Sequence, residues 1–254
     1  MSSPVRHIAH TAIALAALLA PQFAHAAAVH IEASGVVFDN GWAQRPETLV
    51  SDVNGAATFS LFDAVDALRY PYMWQYNNQY SGMFQLSARA GYKVTGYSFS
   101  GRFVGEHYIG RSPDGSGRPG GADTSAGADS YLQDAVTGEV SGFRSYAVGN
   151  VQGTAGFTLD SGPLDRTDAF YLAFGGWAYG WASPAIWTTY DPNTGPTNNY
   201  DFSRAEIGLN GPLLLTVYTQ AIAVPEPHTY ALTLAGLALL AGAVRRRRHR
   251  DQSE

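Results

Sequence analysis

The chain of 254 residues has room for one or two domains and contains no cysteine, which excludes disulfide staples, thiolate zinc sites and a cysteine nucleophile. Its formal net charge is −5, but the stretch Ala27 to Ala223 holds 10 Lys and Arg against 18 Asp and Glu, a balance of −8 with Lys93 its one lysine. Such a surface repels phosphate backbones and argues against a nucleic-acid partner, while about 200 residues suffice to bury roughly 70% of the unfolded surface without staples.

The N-terminus carries Arg6, the stretch IAHTAIALAALLA from Ile8 to Ala20, a break at Pro21 and then Ala24-His25-Ala26. A basic start, a short apolar segment and a small-x-small site predict a secretory signal peptide over residues 1–26. The strictly apolar part, Ala12 to Ala20, is shorter than the 20 or so residues that a bilayer span needs.

Residues 27–223 read as one all-β ectodomain. PLLLTVYTQAIA alternates Leu213, Leu215 and Val217 against Leu214, Thr216 and Tyr218, two faces of a strand. MFQLSARA sets Phe84, Leu86 and Ala88 on one side, TGYSFSGRF sets Tyr97, Phe99 and Phe103 on another, and FTLD, DAFYLAFGGW and EVSGFRSYAVG continue the habit. LFDAVDALRY, with Val65 and Leu68 at helical spacing, predicts one or two turns of helix. Strands every 8 to 15 residues or so, divided by Gly, Pro, Asn and Asp, predict an antiparallel β-sandwich, jelly-roll-like, with a closed barrel as the alternative. Residues 110–130, GRSPDGSGRPGGADTSAGADS, offer nothing bulkier than alanine to bury and read as a long mobile loop.

Candidate chemistry is sparse. His107 beside Glu106 has no nucleophile elbow to serve, so a strand-end histidine is the expectation and catalytic residues are none. Asp191 and Asn193 in DPNTG, or Asp123 and Asp129 in the glycine-rich stretch, offer hard oxygen ligands that would suit calcium, without an EF-hand loop; a plain turn is favoured. The suggestive feature is aromatic. GGWAYGWASPAIW places Trp177, Tyr179 and Trp181 on one face of a strand, with Trp187 shortly after. RYPYMWQYNNQY adds Trp74 and Tyr76 beside Asn77, Asn78 and Gln79. Facing inward these rings are core, the favoured reading for Trp177 to Trp181; facing outward they form a platform for sugar rings, with amides to bond hydroxyls.

The chain closes on VPEPHTYALTLAGLALLAGAVRRRRHR, residues 224–250. As a helix, Thr229 to Val244 would be about 24 Å long, short of a hydrocarbon core of about 30 Å unless the bilayer thins and arginines snorkel. Arg245, Arg246, Arg247 and Arg248 could not all find partners in a protein core and follow the positive-inside rule, which predicts a single C-terminal transmembrane helix with its end in the cytoplasm. This tripartite layout resembles the PEP-CTERM sorting domain of Gram-negative bacteria. The resemblance implies that Pro225, Glu226 and Pro227 are recognised by an exosortase, that Arg245 to Arg248 act as the stop-transfer cluster, and that the anchor is cut. It also implies a surface or matrix protein associated with exopolysaccharide and biofilm. A non-catalytic role is expected, with a carbohydrate-binding module as the alternative and a hydrolase or lyase as the least favoured reading.

Overall fold

The computed structural model describes residues 28–69, 75–223 and 232–239. The predicted signal peptide, Trp74, the Pro225-Glu226-Pro227 motif and the arginine cluster lie outside them.

Among the described residues, Val29 to Ala221 form fourteen strands and one short helix, and every ladder is antiparallel. One sheet runs β1 (Val29–Glu32), β2 (Val36–Asn40), β5 (Gln75–Ala88), β10 (Phe170–Ser183), β7 (Gly121–Asp134), β8 (Val140–Gly149). The second runs β13 (Arg204–Leu209), β6 (Tyr92–Tyr108), β14 (Leu214–Ala221), β4 (Ala56–Ser60), β3 (Thr48–Val53), with β9 (Gly153–Asp160) also paired to β6. β11 (Ala185–Asp191) and β12 (Gly195–Asp201) form a separate ribbon whose turn is the DPNTG segment. Each large sheet ends in edge strands, β1 and β8 in the first, so no closed barrel forms.

The period-two patterns explain how the layers meet. Leu213, Leu215 and Val217 are fully buried, as are Phe84, Leu86, Phe99 and Phe103. Rings from the two sheets meet directly: Phe38 stacks on Phe59 at 4.8 Å, and Phe99 lies 4.9 Å from Phe174. Each such phenylalanine contributes about 1.5–3 kcal/mol on burial, so these contacts fix the registration of the layers. The helix α1 (Phe62–Ala67) forms where helical spacing predicts it, and Ala64 and Leu68 enter the core.

The predicted mobile loop is corrected in its second half. From Gly121 onward the chain is strand β7, paired to β10 along its length and to β8 from Ser125. Its inward residues are Thr124, Ala126, Ala128 and Ser130, its outward ones Asp123, Ser125, Gly127 and Asp129. Small residues with poor strand propensity are held there by the full ladder to β10 and a partial one to β8, and neighbouring rings fill the space that their own side chains leave.

β10 carries the central irregularity. Along its inner face Phe170, Leu172 and Phe174 give way to Gly176, Ala178 and Gly180; along its outer face Tyr171, Ala173 and Gly175 give way to Trp177, Tyr179 and Trp181. The inner glycines mark where the layers close up. A Cβ at Gly180 would meet the Tyr76 ring and come within 2.6 Å of the backbone oxygen of Ala205. Gly180→Ala is therefore expected to cost about 1–3 kcal/mol by overpacking; a denaturation midpoint equal to that of the parent protein would contradict this packing.

Candidate functional site

The bulky half of β10 faces solvent. Trp177 and Trp181 are each 37% exposed, and the inward placement favoured from sequence does not hold, because their even-numbered neighbours occupy the inner face. Both indoles lie down over the small strand beside them. A Cβ at Gly127 would stand 2.6 Å from Trp177 Nε1, and one at Gly121 would stand 3.0 Å from Trp181 Cζ3. Each ring thus lies against a glycine of β7, and the Trp177 and Trp181 backbone positions are about 13 Å apart along β10. Tyr179 sits between them.

The neighbouring strands frame this row. On β5, Gln79 is opposite Trp177 and Asn77 opposite Tyr179; on β7, Asp123 is opposite Trp181 and Asp129 opposite Gly175, diagonal to Trp177. Directly opposed side chains have Cβ atoms about 4.5–5.5 Å apart and diagonal ones about 7–8 Å. Flat apolar rings, flanked by amides on one side and carboxylates on the other, can hold the C–H face of a sugar ring while bonding its substituents.

A groove continues from the platform toward the β5 edge. One part, about 580 Å³, is lined by Trp177, Asp129, Ser81 and Tyr131; the next, about 760 Å³, shares Gln79, Ser81 and Tyr131 and adds Trp42, Arg45 and Asp63. Trp42 is 84% exposed on the loop after β2. That loop is fastened to α1: the Gln44 N–H donates to Asp63 Oδ2 at 2.6 Å, and Arg45 pairs with Asp66 at 3.1 Å.

Under this wall lies Glu47, 4% exposed, whose Oε2 accepts the Phe62 N–H at 2.9 Å and so caps α1. Its Oε1 is buried with no hydrogen-bond partner among the described residues. Burial first, and then the nearby Asp63 charge, push its carboxyl up to about 7. No motif in the sequence distinguishes this glutamate.

The other residues singled out from sequence fall elsewhere. Tyr76 is corrected as a sugar contact: it points inward, is 5% exposed, donates from its hydroxyl to the Ile207 carbonyl at 2.8 Å and accepts the Ile207 N–H. Asn78 also points away, donating to the Arg69 carbonyl at 2.7 Å. Trp187 is half-buried on the β11–β12 ribbon, apart from the platform sheet. Glu106 and His107 alternate along β6, so they face opposite sides, and His107 Nε2 reaches the Ala122 carbonyl at 2.7 Å. Asp191 caps its own turn, accepting the Asn193 N–H at 2.7 Å. Asp123 and Asp129 are six residues apart on one strand face, about 20 Å, too far to share a calcium ion.

In the tail, residues 232–239 form a helix, α2, whose leucines are exposed all round, from Leu237 at 58% to Leu239 at 77%. Among the described residues no helix is long and apolar enough to cross a membrane. Comparison with protein families decides what this segment is. Residues 223–248 match the PEP-CTERM protein-sorting motif. The PEP-CTERM match takes in Pro225, Glu226, Pro227 and Arg245 to Arg248, and it implies export and processing by an exosortase. No curated protein matches the chain.

The raised Glu47 pKa makes a stability prediction. Below its ordinary 4.5 the carboxyl is neutral in both folded and unfolded chains; between there and about 7 only the unfolded chain ionises. Stability falls as pH rises through that window and levels off above it, by at most about 3 kcal/mol. Glu47→Gln should flatten this part of the stability profile. A variant and parent with parallel profiles from pH 4.5 to 7 would contradict it.

Proposed function

We propose that the domain between the signal peptide and the sorting tail is a non-catalytic, cell-surface or extracellular-matrix protein that holds exopolysaccharide on the Trp177–Tyr179–Trp181 platform. The observation that carries the reading is the outward placement of two indoles, each seated against a glycine of the adjacent strand. Rings held this way lose little conformational freedom when a sugar stacks on them, which favours binding. The separation of Glu106 from His107 across a strand supports a binding role over acid–base catalysis. The chain's alternation between two sheets supports the jelly-roll-like sandwich reading, a framework on which an outer sheet face is free to bind.

The sorting tail fits this role. Pro225-Glu226-Pro227 serve as the exosortase recognition element, and Arg245 to Arg248 hold the apolar tail as a temporary anchor with its end in the cytoplasm. A helix apolar on all sides, as residues 232–239 are, gains stability in lipid rather than in water. β14 ends with Ala221 paired to Tyr92 at the start of β6, whereas Trp181 lies near the other end, where His107 meets Ala122. The Trp181 end of the platform therefore lies at the opposite end of the strands from the point where the tail departs.

Trp177→Ala and Trp181→Ala are each expected to weaken retention on purified exopolysaccharide, in affinity electrophoresis, at least about tenfold, the usual effect of removing a central aromatic contact. Unchanged retention of both variants, with near-ultraviolet circular dichroism showing an intact fold, would reject the binding role.

A further inference from the structure

The charge around the platform is one-sided. On the outer face of the three central strands, β5 presents Asn77, Gln79, Ser81, Met83 and Gln85, β10 presents its aromatic row, and β7 presents Asp123 and Asp129. Among these positions there are two carboxylates and no lysine or arginine. Held by the backbone ladder, neither aspartate makes a carboxylate hydrogen bond or ion pair with another described residue. The Asp129 carboxylate lies over Gly175, where a Cβ would come within 2.7 Å of Oδ1, so it rests on the sheet surface beside Trp177. In the adjoining groove Asp63 and Asp66 face Arg45, which is already paired to Asp66. The free charge along the whole path is negative.

Resting on the platform reading, we propose that the ligand is a polysaccharide carrying free amino groups, bound as its ammonium form. The pairing of rings with carboxylates is repeated: Asp123 stands beside Trp181 and Asp129 beside Trp177. A sugar stacked on either indole brings a ring substituent to the carboxylate at that indole's edge. An ammonium group there pairs with the carboxylate while the C–H face of its own sugar ring stays stacked on the indole. A uronate or sulfated chain meets repulsion at the same places, and an N-acetylated chain loses the charge while keeping the stacking surface. Exposed ion pairs are individually weak, so the carboxylates select the glycan and the rings supply most of the affinity.

The test uses the full chain and three probes in calorimetry at low ionic strength, at a pH where amines are protonated: glucosamine oligomers, their N-acetylated counterparts and polygalacturonate oligomers. Glucosamine oligomers should bind tightest and polygalacturonate weakest. The Asp123→Asn/Asp129→Asn variant should bind glucosamine oligomers about 5-fold more weakly, the effect of losing two exposed ion pairs, and keep its affinity for the N-acetylated form. The control Glu139→Gln/Asp160→Asn makes the same change of net charge at exposed positions away from the platform and should bind like the parent. Equal loss in both variants would make the attraction a general effect of an acidic surface and overturn the proposal. Binding of N-acetylated and amino oligomers alike, still lost in Trp177→Ala, would overturn the amino-sugar selectivity while leaving the platform reading intact. No binding of any probe would overturn the inference, and the platform reading would then be judged on exopolysaccharide retention alone.

Discussion

The exchange of bulk between the two faces of β10 is the constraint on which the rest of the arrangement turns. A central strand must fill whatever space lies on each side of it, and the space on the inner side shrinks along its length. Near Phe170 the layers are far enough apart for phenylalanines to interleave; near Gly180 the Tyr76 ring and the Ala205 backbone leave no room for a methyl group. With glycine and alanine forced inward, the strand can place its large apolar side chains only outward. The platform is thus built into the packing of the core, and its floor is built into β7, whose Gly121 and Gly127 leave room for the indoles.

This dependence explains which parts of the structure were legible in the sequence. Strands with one apolar and one polar face, such as β14 around Leu215 and Val217, announce themselves by alternation. β7 does not, because the residues that cover it belong to β10 and contribute nothing to its own pattern; its Gly121–Ser130 part reads as the end of a loop until Trp177 and Trp181 are laid upon it. The same missing information misplaced the tryptophans. Odd and even positions of GGWAYGW are separable from sequence, but which set faces the core depends on how closely the second sheet approaches, a tertiary quantity. Tyr76 was misread for a similar reason: its polar tip finds the Ile207 backbone across the core rather than solvent.

Glu47 shows a different limit. A buried carboxyl with an unpartnered oxygen arises from the fold of a loop against a helix, and neither the loop nor the helix signals it. The tail is the opposite case: its sorting signal is a linear pattern, legible without any fold, and residues 223–248 match the PEP-CTERM sorting motif. The sorting signal and the aromatic platform are therefore encoded at two levels, one in a contiguous string and one in the packing of strands distant in sequence.

The central claim is that Trp177 and Trp181 present ring faces to solvent and receive a glycan there. Incorporating 5-fluorotryptophan and recording fluorine spectra tests it most directly, with Trp177→Phe and Trp181→Phe to assign two of the resonances from the five tryptophans. Both resonances should move on exchanging water for deuterium oxide, as exposed rings do, and shift again on adding exopolysaccharide fragments while that of Trp187 stays in place. Resonances insensitive to solvent, or exposed yet unmoved by saturating glycan, would contradict the account.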